Sequence, residues 1–388
     1  MSTAFILDAV RTPRGRGKAG KGALSGIHPQ ILLAQTLQAL ASRSGIDRKD
    51  VEDVVIGCVS QAGEQGANIA RNALLFAEWP DEVTGVTLNR FCGSGLQAVN
   101  FAAMGVMSGQ QQVAIGGGVE SMSRCPMGSD GAGIDGGNEL LREKVHQVPQ
   151  GISADLIATL EGFSREDLDR FALASQMKAE AARKDGRFRK SLVAVQDPRT
   201  GQIALEQDEH PRPDTTLEKL AKLKPAFAKD DKGTVTAGNS SGINDGAAAL
   251  LIVEADRAKK LGLEPIAFVG ASASAGVDPA YMGLGPVPAS QKALKRAGLT
   301  MRDINVVELN EAFAVQCIAV MRELGMEPGD ERLNPKGGAI AIGHPLGMSG
   351  ARIATSLVHE MQRTQVARGL ATACIGVGQG LATVFHRE

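Results

Sequence analysis

The chain has 388 residues, is 43% hydrophobic and 22% charged, and carries a formal net charge of −1. That balance, with no long run of one sign and no apolar run of membrane-spanning length, argues against nucleic acid or a bilayer as partner. The length allows two or more domains around a core that needs no staples, and five scattered cysteines without CxxC spacing argue against a disulfide framework or a zinc site and for a reducing compartment.

In chain order, Ala4 to Leu7 reads as a first strand; no targeting segment precedes it, so a cytoplasmic location is expected. An amphipathic helix follows from Ile31 to Ser44, then an apolar strand at Val54 to Ile56. A further apolar run, Val83 to Leu88, leads into Cys92 and a helical stretch from Leu96. The next strand, Val113 to Ile115, is read as ending in Gly116, Gly117 and Gly118. Ser121 to Gly242 differs in character: five glycines lie within 128–137, a helical stretch spans Arg165 to Lys184, and a polar segment with prolines runs from Asp197 to Pro213. It reads as an excursion inserted before the last strand of the first half, and such loops commonly carry binding residues. Beyond it, a strand at Val306 to Glu308 precedes Asn310, a stretch from Gly337 to Gly343 read as a strand precedes His344, and an amphipathic helix spans Ser349 to Gln362. Leu370 to Ala373 reads as the last apolar strand, closed by Cys374 and the turn Gly376-Val377-Gly378-Gln379-Gly380.

The two ends of the chain repeat one another. Ser44-Gly45-Ile46-Asp47 through Val55 matches Ala297-Gly298-Leu299-Thr300 through Val307, and Cys92-Gly93-Ser94-Gly95 heads one helix as His344-Pro345-Leu346-Gly347 heads another. A duplicated α/β unit is the economical reading. The 47 glycines and 3% aromatic content fit a core of small aliphatic residues with close backbone packing.

The repeat places the reactive residues in equivalent turns. Cys92 stands at a helix N-terminus, where free N–H groups and the helix dipole favour a thiolate and can hold an oxyanion. His344 occupies the same place in the second half, as a general base would. Cys374 and Asn310 end strands of that half. Each taken alone also reads as a structural residue, but in α/β sheets ligands bind outside the carboxyl ends of strands, and four reactive side chains gathered there are hard to explain as packing.

Four blocks then resemble the active-site motifs of the thiolase family: Asn89-Arg90-Phe91-Cys92-Gly93-Ser94-Gly95, Asn310-Glu311-Ala312-Phe313-Ala314, Gly337 through Gly347 around His344, and Cys374 through Gly380. Gly233 through Ala248 is similar to a fifth family block. The resemblance runs from the first strand to the last. It implies an α/β thiolase fold, two βαβαβαββ halves in five layers (α-β-α-β-α): residues 1–120 completed by 243–266, a CoA-binding loop domain at 121–242, and a second half at 267–388. It implies Cys92 as nucleophile, His344 as its base, Cys374 as the second acid and base, and two oxyanion sites, one from His344 with a water on Asn310 and one from the N–H groups of Cys92 and Gly376. By motif match Ala237 and Ser241 line the pantetheine channel beside Phe227 and Phe313, and Met282 lines the acyl pocket. Arg212 reads equally as a contact to the adenine nucleotide or as a solvated charge. No metal and no permanently bound cofactor are implied: CoA and 3-oxoacyl-CoA thioesters are substrates. A homodimer or tetramer is expected, and association with a hydratase/dehydrogenase partner stays open.

Where biosynthetic acetoacetyl-CoA thiolases carry His-Met, this chain has Pro149-Gln150, and its stretch between Ser123 and Gly151 is shorter. The first departure means that CoA packing in that loop is not carried over. The shorter stretch, Gly63 through Arg71 and the Val377-Gly378-Gln379-Gly380 ending resemble the degradative 3-ketoacyl-CoA thiolases of fatty-acid beta-oxidation. Cys92 through Val99 resembles the biosynthetic form, so the acetyl-CoA C-acetyltransferase is the alternative. A ketosynthase-type enzyme would not use Cys374, and a thiolase-like carrier would be expected to lose Cys92 or His344.

Overall fold

The computed structural model describes residues 3–228 and 233–387. Strand β1 (Ala4–Arg11) is followed by the two-residue β2 (Gly15–Arg16), then β3 (Asp53–Gly57), β4 (Thr84–Leu88) and β5 (Val113–Ser121). A small hairpin, β6 (Val195–Gln196) and β7 (Ile203–Leu205), precedes β8 (Asn244–Glu254), β9 (Ala267–Gly276), β10 (Val306–Leu309), β11 (Arg368–Ile375) and β12 (Gln379–His386). The main path runs β10-β11-β12-β9-β1-β8-β5-β3-β4, with β2 paired to β8. Only two residue pairs, Phe5↔Phe268 and Ile6↔Ala267, join β1 to β9, so the path is two half-sheets sharing a seam.

The halves repeat in topology. In the first, β3 lies parallel between β4 and β5, and β8 is antiparallel to both β5 and β1. In the second, β10 is parallel to β11, and β12 is antiparallel to both β11 and β9. The counterpart of β4 has shrunk to one parallel bridge, Val307↔Leu333.

Side chains alternate across a strand, so each half-sheet must cover two faces. On β3, Val54 and Ile56 pack outward with Leu33 and Leu37 of helix Pro29–Ser44 and Leu74 of helix Ile69–Phe76. Val55 packs inward, with Leu96 and Val99 of helix Ser94–Met107 and Ile353 and Leu357 of helix Leu346–Thr364; Ala371, Ala373 and Phe385 of the second half-sheet close that layer from the other side. Helices Pro286–Ala297 and Ala314–Glu323 cover the far face through Leu294 and Val320. The result is five layers, α-β-α-β-α.

The two middle helices touch backbone to backbone. A Cβ on Gly95 would stand 2.6 Å from the Ala351 nitrogen, and one on Gly350 would stand 2.1 Å from the Leu96 nitrogen. Helix Leu346–Thr364 is buried on every side from Leu346 to Met361, so the amphipathic pattern expected there is not what positions it; its buried charges Arg352 and Glu360 pair with Glu308 and Lys336.

Three local expectations are corrected. Gly116 to Gly118 lie in the middle of β5, because Cβ atoms on Gly116 and Gly118 would strike Val99 and the Gly347 carbonyl. The residues before His344 form a helical turn, Ala339–Ile342, where a strand was expected. Cys374 lies in the penultimate strand: β12 folds back on β11 through Gly376-Val377-Gly378, with φ of 64° at Val377 and 75° at Gly378.

Between β5 and β8 the chain forms helices Glu139–Lys144, Gln150–Glu161, Arg165–Lys184 and Leu217–Ala221. Asp208 anchors this stretch, its carboxylate accepting from Arg11 (2.8 Å, both terminal nitrogens) and from Arg14 Nε (3.1 Å). Among the described residues no helix is long and apolar enough to cross a membrane.

Candidate active site

Cys92 stands two residues before helix Ser94–Met107, and His344 two residues before helix Leu346–Thr364. The turn carrying Cys92 is pinned on both sides. The Arg90 N–H donates to Ser94 Oγ (2.8 Å), whose own hydroxyl donates to the Phe91 carbonyl (2.6 Å), and Phe91 adopts a left-handed φ of 44°. Cys92 is buried against Val59, Met122 and Leu346, the last from the facing helix. The buried carboxylate of Glu120 binds the surrounding loops together, accepting from the N–H groups of Val59 (2.9 Å), Ser60 (3.0 Å) and Gly347 (2.8 Å).

His344 is held first by its backbone, whose N–H donates to the Gly242 carbonyl (3.1 Å) and to Asn244 Oδ1 (3.3 Å). Its ring lies between two side chains: Nδ1 is 2.5 Å from Ser349 Oγ, and Nε2 is 3.3 Å from Asn310 Nδ2. Burial, reinforced by the Arg352 guanidinium, pushes the imidazole down to about 3, so it is neutral at physiological pH. Asn310 directly follows β10, buried, with its N–H on the Thr372 carbonyl (2.9 Å).

The two thiols come from different halves and lie close enough for Cys92 to raise Cys374. Burial pushes the Cys92 thiol up to about 11, outweighing the nearby backbone N–H groups of Cys92 and Gly376, which favour its anion. The N–H groups favour the anion, as the helix N-terminus leads one to expect, but desolvation of the anion costs more than they return. Cys374 is raised further, by burial first and by Cys92 second.

The remaining predicted residues fall into separate groups. Arg212 and Ala237 line a cavity of about 180 Å³ together with Gln176, His210 and Lys219, although the Arg212 side chain is largely exposed. Phe227 and Phe313 stack edge to face, with centroids 5.9 Å apart. Ser241 lines no described cavity; its N–H donates to the Ala312 carbonyl (2.9 Å), fastening its loop beside Asn310. Met282 and Gly376 share a small cavity of about 30 Å³ with Phe91, Gln147 and Gln150.

Sequence reasoning passed over Glu308, Ser349, Arg352, Asn244 and Gln150. A signal existed for two of them: Glu308 is an acid inside an apolar strand on the same face as Asn310, and Arg352 is a charge inside a buried helix.

A buried thiol near two backbone N–H groups, with a second thiol close by and a neutral imidazole heading the facing helix, is an arrangement able to transfer an acyl group through a thioester. Residues 4–256 match the family described as thiolase, N-terminal domain, and residues 263–387 match thiolase, C-terminal domain. The chain belongs to the thiolase family of acyltransferases. It is 48% identical to the beta-ketoadipyl-CoA thiolase of Pseudomonas aeruginosa over 99% of this chain and 98% of that one. It is 47% identical to the 3-ketoacyl-CoA thiolase of Pseudoalteromonas translucida over 100% and 99%. The crystal structure of the Bacillus anthracis acetyl-CoA acetyltransferase superposes with a TM-score of 0.90 at 39% identity, covering 100% of this chain and 99% of the other.

Proposed function

We propose that this thiolase cleaves 3-oxoacyl-CoA by CoA-dependent thiolysis, releasing acetyl-CoA and an acyl-CoA two carbons shorter, as in fatty-acid beta-oxidation. The observation that carries the reading is the Cys92 sulfur lying under the N–H groups of Cys92 and Gly376 with Cys374 beside it. The Cys92 proton passes to His344 Nε2 as sulfur attacks the 3-keto carbon, and the two N–H groups receive the oxyanion. The C2–C3 bond breaks, its electron pair leaving as the enolate of acetyl-CoA; protonated His344 and Asn310 stabilise the enolate oxygen, and the Cys374 thiol gives its proton to the carbon. A second CoA then loses its thiol proton to Cys374 and attacks the acyl-cysteine, and His344 returns the proton to Cys92. The imidazole is neutral at rest, so one ring nitrogen carries no proton when substrate arrives.

In this reading the segment 121–242 is the CoA-binding insertion between the halves 1–120 plus 243–266 and 267–388. The 180 Å³ cavity at Arg212 and Lys219 takes the nucleotide end of CoA, with pantetheine passing Ala237, Ser241, Phe227 and Phe313. A second substrate reading is favoured by the amides of Gln147 and Gln150 in the small cavity: a short acyl chain ending in a carboxylate, the class named for the Pseudomonas relative.

The test is thiolysis of acetoacetyl-, 3-oxohexanoyl-, 3-oxoadipyl- and 3-oxohexadecanoyl-CoA side by side, with Cys92→Ala as control. Cleavage of the longer unsubstituted chains supports the degradative reading, and preference for 3-oxoadipyl- over 3-oxohexanoyl-CoA supports the second. Activity on acetoacetyl-CoA alone moves the assignment to an acetyl-CoA acetyltransferase. Absence of Cys92-dependent cleavage overturns all three.

A further inference from the structure

Asn310 and His344 each have two faces that hydrogen bonding alone could fill either way, because an amide can flip and an imidazole has two neutral tautomers. Their surroundings remove the ambiguity, starting from a buried ion pair. Arg352 Nη1 donates to Glu308 Oε2 at 3.0 Å, with both side chains 1% exposed, so the guanidinium is locked in place. Arg352 Nη2 then stands 3.4 Å from Asn310 Oδ1. A guanidinium has donors only, so the amide must turn its oxygen to Arg352 and its NH₂ to His344. His344 Nε2, 3.3 Å from that NH₂, must accept, which leaves the ring proton on Nδ1. Nδ1–H points at Ser349 Oγ, and that hydroxyl is able to accept because its own hydrogen goes to the Pro345 carbonyl at 2.8 Å. Along the contacts from Arg352 through Asn310 and His344 to Pro345, one assignment gives each hydrogen bond a donor and an acceptor.

We infer that Arg352, clamped by Glu308, and Ser349 are positioning residues that hold His344 in its Nδ1–H tautomer, with Nε2 unprotonated and facing the Asn310 amide. The inference rests on the thiolase reading only in making Nε2 the atom that takes the Cys92 proton. The opposite tautomer would set an N–H at Nε2 against the Asn310 NH₂ and leave that nitrogen unable to take a proton. Glu308 and Arg352 come from β10 and the central helix of the second half, so the base is set by the element it heads and the strand it faces.

The experiment uses the full chain labelled with ¹⁵N-histidine, in which only six histidines contribute, with the His344 signals assigned by their loss in His344→Asn. The two ring-nitrogen shifts report which atom carries the proton. The wild type is expected to show Nδ1–H for His344, unchanged from pH 5 to 9. Ser349→Ala is expected to shift the ring toward the other tautomer and lower kcat about 10- to 100-fold, within the ~10²–10⁴ that a positioned base contributes, with KM for acetoacetyl-CoA changed less than about twofold. Ser349→Thr keeps the hydroxyl and should recover both readouts. An Nε2–H tautomer in the wild type, or a Ser349→Ala enzyme with unaltered tautomer and kcat, overturns the inference. The wild-type spectrum needs no variant to fold, and it stands apart from the thiolase reading: an Nδ1–H ring in a chain without thiolysis would sink that reading and leave this one.

Discussion

The protonation state of Cys92 separates two accounts of how this site rests. A cysteine at about 11 against an ordinary value of 9.0 is held back by about 3 kcal/mol, the cost of burying the anion beyond what the two N–H groups return. At pH 7, four units below that value, about one molecule in 10⁴ carries the thiolate. Alkylation by iodoacetamide, followed from pH 6 to 10.5 and corrected with Cys92→Ala, should therefore rise about tenfold per pH unit without a plateau below about pH 10. Because His344 is neutral, at about 3, it lends the thiol no cation. His344→Asn should then change resting alkylation less than about threefold, yet slow acylation by acetoacetyl-CoA by ~10²–10⁴ as the base is lost. A plateau with an apparent pKa below 8, abolished in His344→Asn, would refute this reasoning and establish a thiolate–imidazolium pair.

Gly350→Ala should lower the urea midpoint by about 1–3 kcal/mol of stability, since its Cβ would meet the Leu96 nitrogen at 2.1 Å; a change under about 0.5 kcal/mol would mean that the central helices are free to separate. Gly376→Ala keeps the N–H, and its Cβ meets only Gln150 Nε2 at 3.1 Å and Phe91 Cγ at 3.6 Å. It should fold with near wild-type stability and lose thiolysis of longer acyl chains before that of acetoacetyl-CoA, as a chain-length series would read. Asp208→Asn should cost about 3–5 kcal/mol by leaving Arg11 and Arg14 without their buried anion. The Asp208 carboxyl is held far below its usual 3.8 by Arg11 and Arg14 acting against burial, so its stabilisation is complete above about pH 4 and is lost as pH falls below that. Denaturation of wild type and Asp208→Asn should accordingly converge in acid, and a gap independent of pH would show that the charge is not what matters.

Much of the site was legible because its residues stand at ends of local elements. Cys92 and His344 precede helices whose apolar runs mark their starts, and Asn310 and Cys374 close apolar strands, so a repeat visible in the string of letters placed all four at comparable points. The same local signals misled where tertiary contact overrode them. Gly116 to Gly118 looked like the end of a strand but sit inside one, since the central helices press against it too closely for any Cβ. The strand β12 was missed because a Gly-rich turn reads alike whether the chain stops or folds back on itself.

The sequence by itself determined the alternation of elements, the duplication, and the turns that carry reactive side chains, because these depend on hydrophobic period and on glycine at short range. Only the tertiary structure decided the charge state of the thiols, the tautomer of the imidazole and the service of Glu308, Ser349 and Arg352 to it. Those depend on how much water is excluded and on which donor faces which acceptor across elements distant in the chain, and neither quantity is written in local pattern.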